Sequence, residues 1–196
     1  FESQGMTNFM KELKPDCLED IIAGVSLYRP GPMDQIPRYI ANKKDPEHAV
    51  YTHPALKPIL EVTYGCMVYQ EQVMQIVRDL AGYSLGRADL VRRAMGKKKL
   101  DVMAKEREIF IHGQIDENGN IVVPGCIRNG IDEQSANKIF DEMAEFAKYA
   151  FNKSHAAAYA VVSYRTAYLK AYYPTEFMAA MLNSFLGNLD KVPGYI

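Results

Sequence analysis

The chain has 196 residues, of which 48% are apolar and 24% charged, a composition typical of a soluble globular protein rather than a disordered or collagen-like one. Its 23 Lys and Arg and 24 Asp and Glu residues give a formal net charge of −1, which excludes a general polyanion binder by bulk charge. The longest apolar run, residues 156–162, has seven residues, whereas a membrane-spanning helix needs about 20. Cys17, Cys66 and Cys126 are scattered without a C-x-x-C pair, which predicts reduced thiols in a cytoplasmic protein and neither disulfides nor a zinc site.

Helical patterns dominate the first part of the chain. Apolar residues recur at helical spacing over residues 6–13 and again over residues 18–25. Asp16 with Glu19 predicts an N-cap pair for the second of these helices. The Pro-Gly-Pro segment 30–32 predicts a rigid turn after it, and the proline-punctuated stretch that follows predicts loops and short helices.

The rest of the chain adds one hairpin to a series of helices. Asn118-Gly119 lies between strand-like flanks within residues 115–123 and predicts a β-hairpin, because this dipeptide favours the tight turn that joins two strands. Asp132 predicts a helix cap, and Pro174 predicts a helix start. The predicted fold class is therefore mainly α with one small β-hairpin. The other helical patterns lie at residues 69–80, 85–95, 100–111, 132–147 and from about 153 to 172.

The first candidate site is the basic run at residues 87–99, which holds six basic residues and one acidic residue. Arg92 and Arg93 are predicted to project from the flank of a helix, and Gly96 lets a ligand approach the backbone closely. Because a guanidinium group makes two parallel hydrogen bonds to an oxyanion, the run fits a phosphate or nucleic-acid contact. A solvated basic face is the alternative. The inward stripe of this helix is predicted to contain Leu90, Val91, Ala94 and Met95.

The second candidate joins two helices and comprises Tyr149, Ala150, Phe151, Asn152, Lys153, Ser154 and His155. Asn152 or Ser154 caps the following helix, whose N-terminus offers unpaired N–H groups and a partial positive charge. Lys153 and His155 add to that field and make the segment a candidate anion site, with two aromatic rings available for stacking. An ordinary capped helix with two core aromatic residues is the alternative. The small-residue face at residues 156–171 is predicted to pack in the core.

Arg29 is the third candidate, because the prolines that follow it would hold its side chain in a fixed place. It is either a structural corner or an oriented phosphate contact. The sequence contains no G-x-x-x-x-G-K-[ST] loop, no G-x-G-x-x-G turn and no G-x-S-x-G elbow, so neither a P-loop nor a Rossmann site is supported.

An ordered set of short motifs runs through nearly the whole chain. They are Phe1-Glu2-Ser3 with Gly5-Met6, Arg29-Pro30-Gly31-Pro32, Thr63-Tyr64-Gly65, Tyr69-Gln70-Glu71-Gln72-Val73-Met74, Arg92-Arg93-Ala94-Met95-Gly96-Lys97-Lys98-Lys99, Phe151-Asn152-Lys153-Ser154-His155 with Ala157-Ala158-Tyr159, and Tyr173-Pro174 with Glu176-Phe177-Met178-Ala179. In this order they resemble the fingers region of the bacterial replicative DNA polymerase III alpha subunit, a C-family polymerase. The resemblance implies that residues 1–196 are a fingers fragment of a larger polymerase chain, with an irregular multi-helix fold and a hairpin insertion at residues 112–131.

The resemblance also implies roles for the candidate residues. In such polymerases the fingers close over the nascent base pair and the triphosphate of the incoming nucleotide. Arg92 and Arg93 match the family's basic pair near the triphosphate, and the DNA or phosphate contacts are extended by Arg29, Lys97, Lys98 and Lys99. His155 is a candidate steric check against a 2′-hydroxyl group. The residues implied to face the nucleotide's base and sugar are Tyr149, Phe151 and His155. The implied nucleotide-binding set also includes Asn152, Lys153 and Ser154.

The family's metal-binding carboxylates belong to the palm, upstream of the Phe1-Glu2-Ser3 match. The resemblance therefore implies Mg²⁺ in the full-length enzyme with ligands outside this chain, no metal site or catalytic residue within it, and a fragment that cannot polymerise alone. The implied partners are primer–template DNA, dNTP, the remaining palm and thumb domains and, through the full-length protein, the sliding clamp and other replisome subunits. No membrane is implied.

Two other functions fit the residues. One is a non-catalytic nucleic-acid-binding or replisome scaffold module, whose affinity for a nucleic-acid backbone would fall steeply with salt. The other is a small enzyme that uses a phosphorylated substrate, and the missing nucleotide-binding motifs and carboxylate pairs count against it.

Overall fold

The computed structural model describes residues 3–97 and 100–187. Within these ranges the chain forms ten α-helices, several short 3₁₀ turns and one two-stranded antiparallel sheet, so the predicted mainly α fold with a small hairpin is confirmed. The elements are α1 (Gln4–Leu13), α2 (Leu18–Leu27), α3 (Ile36–Lys44), α4 (Lys57–Leu60), α5 (Gln70–Ala81), α6 (Leu85–Gly96), α7 (Leu100–His112), β1 (Gln114–Ile115), β2 (Ile121–Val123), α8 (Glu133–Phe146), α9 (Lys153–Tyr172) and α10 (Pro174–Ser184).

The helices enclose two hydrophobic cores. The first core lies between α4, α5, α6, α7 and α8, and the apolar face of α5 places Val73, Ile76 and Val77 fully inside it. Burying an aliphatic side chain of this size contributes about 1.5–3 kcal/mol, so α5 anchors this core. The second core lies between α1, α2, α3 and the first turns of α9, where the small side chains of Ala156 and Ala160 allow α2 to pack closely.

The N-terminus of α5 lies where the two cores meet. Tyr69 is buried in the second core, whereas Val73, about one turn later, is buried in the first. Between them, Gln72 Oε1 accepts hydrogen bonds from the backbone N–H groups of Val68 (2.8 Å) and Tyr69 (2.9 Å). Its Nε2 donates to Thr63 Oγ1 at 2.8 Å. Gln72 is only 5% exposed, and because its buried amide is satisfied on both sides it fixes the start of α5.

A tight loop docks the chain after β2 onto the first core. The backbone N–H of Gly125 donates to Ala81 O at the end of α5 (2.9 Å), and the backbone N–H of Cys126 donates to Phe110 O in α7 (2.8 Å). A Cβ atom on Gly125 would lie 2.3 Å from the backbone nitrogen of Gly113. Two backbone segments therefore approach each other at a distance that only glycine allows.

The predicted hairpin at Asn118-Gly119 is confirmed, and Asp116 organises its turn. Asp116 Oδ1 accepts hydrogen bonds from the backbone N–H groups of Asn118 (2.9 Å) and Asn120 (2.8 Å), and Oδ2 accepts one from Asn120 Nδ2 (2.9 Å). The hydrogen bond from the Asn120 side chain is the main cause that holds the pKa of Asp116 below its ordinary value of 3.8. The interpretation of residues 112–131 as an insertion stays a prediction.

We expect the hairpin turn to loosen in acid. Because the pKa of Asp116 is lower in the folded chain than in the unfolded one, its hydrogen bonds stabilise the turn above pH 3.8 and are lost as the pH falls through the lowered pKa. The amide NMR signals of Asn118 and Asn120 should then move together below pH 3.8. Asp116→Asn removes the titrating group and should abolish this joint movement. Unrelated movement of the two signals would contradict the assignment.

Two predictions made from the sequence are wrong in detail. The residue that caps α2 is Cys17, without a side-chain hydrogen bond, and the Asp16 carboxylate instead pairs with Lys43 Nζ at 2.9 Å. Asp16 therefore pairs with Lys43 of α3 and does not cap α2.

Leu90 is 65% exposed rather than inward, because it lies beside the buried stripe. That stripe of α6 contains Ala88, Val91, Ala94 and Met95.

The helix α9 packs in the core over its first turns only. Its buried residues are Ala156 and Ala160, and the side chains of Tyr164, Tyr168 and Tyr172 are 44–69% exposed. The prediction that the whole small-residue face packs in the core is therefore wrong for the second half of this helix. The main packing partner of this 20-residue helix is α2, which has only 10 residues, and no residue of α10, which lies wholly in the described part, is buried. Across the described ranges, no helix combines the length and the apolar character needed to cross a lipid bilayer.

Candidate functional site

The basic pair lies on α6 and shares one carboxylate. Arg92 donates to Asp89 Oδ1 from Nη2 (2.7 Å) and from Nε (3.1 Å), and Arg93 Nε lies 2.8 Å from Asp89 Oδ2. The hydrogen bond from Arg92 is the main cause that holds the pKa of Asp89 below its usual range. The side chain of Arg92 is 23% exposed and that of Arg93 is 62% exposed. Arg92 is therefore held in place at the surface, whereas Arg93 extends into solvent.

Gln70 connects Arg92 to the segment 149–155. Its side-chain Oε1 accepts a hydrogen bond from Arg92 Nη1 (2.9 Å), and its backbone N–H donates to Phe151 O (2.9 Å). Tyr69 and Phe151 form an isolated parallel β-bridge at the same point. One residue at the start of α5 thus contacts both the first and the second candidate site.

Glu71 holds the N-terminus of α9. Its Oε1 accepts a hydrogen bond from Asn152 Nδ2 (2.9 Å), and both carboxylate oxygens accept from the backbone N–H of Lys153 (3.2 and 3.1 Å). Asn152 is the N-cap, since its Oδ1 accepts from the backbone N–H of His155 (2.9 Å), while Ser154 is exposed. The alternative between Asn152 and Ser154 is thereby decided in favour of Asn152. The positive end of the helix faces a carboxylate of the chain itself.

Arg29 brings the third candidate onto the same surface. Its Nη2 donates to Tyr149 O (2.8 Å), and its guanidinium carbon lies 4.0 Å from the centroid of the Phe151 ring. Burial lowers the pKa of Arg29 below its usual range. The Tyr149 ring lies against Gly31, where an added Cβ would be 2.2 Å from Cδ1 of the ring. The rigid turn and the aromatic segment are therefore in direct contact.

An aromatic row continues from Arg29 along α9. The Phe151 and His155 rings are 5.3 Å apart in an edge-on arrangement, and the His155 and Tyr159 rings are 4.8 Å apart. Both His155 and Tyr159 are exposed, so the row presents ring surface to solvent. Such surfaces can stack on a base or contact a sugar.

The lysines are placed differently from one another. Lys153 Nζ pairs with Glu19 Oε2 (2.9 Å) and lies 5.2 Å from the centroid of the Tyr69 ring, so its charge is already partnered. Lys97 is exposed directly after α6. Lys98 and Lys99 lie outside the described residues. We name the surface formed by Arg29, Gln70, Glu71, Asp89, Arg92 and Asn152, together with the aromatic row, the junction surface.

The sequence alone did not single out Asp89, Gln70 or Glu71 as site residues. Asp89 had a usable signal, because it precedes Arg92 and Arg93 by three and four residues and must lie beside them on a helix. Gln70 and Glu71 belong to one of the matching motifs, but no local pattern indicated this role, since their partners at residues 151–153 come from a distant part of the chain.

The described residues contain one cluster of side chains of the metal-ligating types, Asp16, Cys17 and Asp20. The Lys43 ammonium lies 2.9 Å from the Asp16 carboxylate and 3.0 Å from the Asp20 carboxylate, and it supplies the positive charge there. Mg²⁺ requires octahedral oxygen ligands, so a cluster that contains a thiol and a lysine does not fit it.

The fold and the junction surface define an α-helical domain that presents an arginine pair beside an aromatic helix start. The sequence model of the bacterial DNA polymerase III alpha subunit finger domain matches residues 1–118, and the chain belongs to this family. The resemblance drawn from the motifs is thereby confirmed.

Curated relatives extend the match over the full chain. The DNA polymerase III subunit alpha of Xylella fastidiosa is 55% identical over 196 residues, which cover 100% of this chain and 15% of that protein. The Thermus aquaticus protein of the same name is 52% identical over 200 residues, with the same coverage of 100% and 15%. That of Pasteurella multocida is 53% identical over 203 residues, covering 98% of this chain and 16% of that protein. The chain thus spans about 15% of the length of the curated relatives it matches.

Proposed function

We propose that this chain is the fingers part of a replicative DNA-directed DNA polymerase, a nucleotidyltransferase, and that it binds the triphosphate of the incoming dNTP and the primer–template end. The observation that carries the proposal is the junction surface, where Gln70 and Glu71 hold Arg92 beside the N-terminus of α9. Membership of the finger-domain family and the names of the relatives support the class of reaction.

The arginine pair suits a triphosphate in both charge and geometry. Arg92 is oriented in advance by Asp89 and Gln70, so little side-chain ordering remains when a phosphate binds. Phosphoryl transfer depends mainly on positioning and on electrostatic stabilisation, which a fixed guanidinium group provides. Arg93 and Lys97, which are more exposed, extend the positive surface toward phosphate or DNA, and the proposal includes Lys98 and Lys99 in this role.

The aromatic row suits the base and the sugar of the same nucleotide. Tyr149 and Phe151 come directly before α9, and His155 lies between the Phe151 and Tyr159 rings. A ring flanked on two sides suits a steric check against a 2′-hydroxyl group, because its neighbours restrict movement toward either of them. We assign this role to His155 and assign Asn152, Lys153 and Ser154 to the same nucleotide-facing segment.

The remaining parts of the enzyme are proposed to lie outside this chain. We place the Mg²⁺ ligands in the palm, where the metal would activate the primer hydroxyl, and we therefore expect the isolated chain not to polymerise. The palm and thumb are its proposed neighbours, and the sliding clamp and other replisome subunits are proposed partners of the full-length protein.

An NMR titration of the labelled chain with a deoxynucleoside triphosphate and Mg²⁺ tests the proposal. We expect shifts that cluster at Arg92, Arg93 and residues 152–155, because one bound nucleotide would touch both. Titration with Mg²⁺ alone is the control and should leave these signals in place. Shifts spread over all basic residues, with an affinity that falls steeply with salt, would favour the non-catalytic nucleic-acid-binding module instead. No shift at any of these residues would contradict a nucleotide site in this chain.

A further inference from the structure

We propose that Glu71 is a positioning residue, which sets the nucleotide-facing end of α9 relative to Arg92 without touching the nucleotide. The inference rests on the proposed function and deepens it. Its basis is a pair of adjacent residues, Gln70 and Glu71, whose side chains bind two different parts of the site.

The carboxylate of Glu71 is committed to α9. It accepts from two donors, Asn152 Nδ2 and the backbone N–H of Lys153, which is shared between both carboxylate oxygens. A negative charge beside the N-terminus of a 20-residue helix is favoured by the aligned peptide dipoles. Because its oxygens already have these partners, Glu71 is suited to hold the helix and not to bind a ligand.

The side chain of Asn152 connects Glu71 to His155. One end of its side-chain amide donates to Glu71, and the other end accepts from the backbone N–H of His155 at 2.9 Å. Rotation of the amide would break both bonds at once, so Glu71 fixes its orientation. The position of His155 therefore depends on a residue of another helix.

Gln70 fixes the opposite side in the same way. Its side chain binds Arg92, and its backbone N–H binds Phe151 O. Gln70 and Glu71 together therefore set the distance between Arg92 and the start of α9. These two residues start a helix that is held by both cores, since Tyr69 is buried in the second core and Val73 in the first. A rigid element with short connections holds site geometry better than a loop would.

The first arm of the test measures backbone amide exchange in the labelled chain carrying Glu71→Ala. We expect the amides of both Lys153, which loses its acceptor, and His155, whose acceptor Asn152 is no longer held in orientation, to exchange about tenfold faster. Glu71→Gln keeps an acceptor oxygen at the same distance and should restore most of the protection, and it remains informative if the alanine variant does not fold. Glu133→Ala, which removes an exposed glutamate from the first turn of α8, is the matched control and should leave both amides unchanged. Unchanged exchange in Glu71→Ala would overturn the proposal.

The second arm measures nucleotide selectivity in the full-length polymerase that contains this chain. We expect Glu71→Ala to reduce the preference for dNTP over the matching ribonucleotide about tenfold, chiefly through the ribonucleotide kcat/KM, whereas a merely structural role would lower both rates alike. If His155→Ala reduces this preference and Glu71→Ala does not, the positioning role is refuted while the proposed function stands. If neither variant changes the preference, the proposed nucleotide-facing role of α9 fails, and the positioning role falls with it.

Discussion

Gly125→Ala is expected to lower the free energy of unfolding of the chain by about 3 kcal/mol or more. Gly125 has a φ angle of +81°, a conformation that costs an alanine about 1–2 kcal/mol. The added Cβ would also lie 2.3 Å from the backbone nitrogen of Gly113, where no flexible side chain can move aside. This clash is relieved only if the loop that contains Gly125 moves away from Gly113. That movement breaks the hydrogen bonds that Gly125 and Cys126 donate to Ala81 and Phe110.

Urea unfolding followed by circular dichroism measures this loss, and Gly130→Ala provides the matched control. Gly130 has a φ angle of +83°, but an added Cβ there meets no atom within 4 Å. Its replacement should cost only the conformational part, about 1–2 kcal/mol. Equal losses in the two variants would show that the close approach of Gly113 and Gly125 contributes nothing.

Arg92→Ala in the full-length polymerase is expected to lower kcat/KM for the incoming dNTP about 100-fold, because a charge-assisted contact to phosphate is lost from an oriented position. Arg92 differs from its neighbour in being fixed, since Asp89 and Gln70 hold three of its hydrogen bonds. Steady-state incorporation on a primed template at varied dNTP concentration measures the change, and we expect most of it in KM.

The control for this variant is Arg78→Ala on α5. Arg78 is also an arginine paired with a neighbouring aspartate, Asp79, but its side chain is 48% exposed and no contact joins it to the junction surface in the described residues. Its removal should leave nucleotide kinetics unchanged. Unchanged kinetics in Arg92→Ala as well would count against the assignment of the basic pair to the triphosphate.

Local signals in the sequence predicted most of the elements. The apolar face of α5, the break near Gly96 and the hairpin at Asn118-Gly119 each depend on residues within a few positions of one another, and the structure has all three. Such patterns report backbone preferences and the side of an element that is buried, which are decided within one or two turns.

Partners that come from distant parts of the chain were not predictable in the same way. Asp16 was expected to cap α2, but Lys43 on another helix binds it instead. The α9 face was expected to be buried along its length, yet its buried residues, Ala156 and Ala160, both lie in the first half of the helix. Glu71 gave no signal as a site residue, because its role depends on residues 152 and 153, which only the tertiary fold brings to it.

The junction surface lies between two separately packed cores, so the geometry of the site can be lost without unfolding of the chain. Arg92 belongs to the body built on the first core, and His155 belongs to a helix seated on the second. The site therefore resembles an interface within a single chain, and its geometry depends on the contacts of Gln70 and Glu71 that join the two sides. A substitution can leave both cores intact, and the chain fully folded, while it separates the two halves of the site.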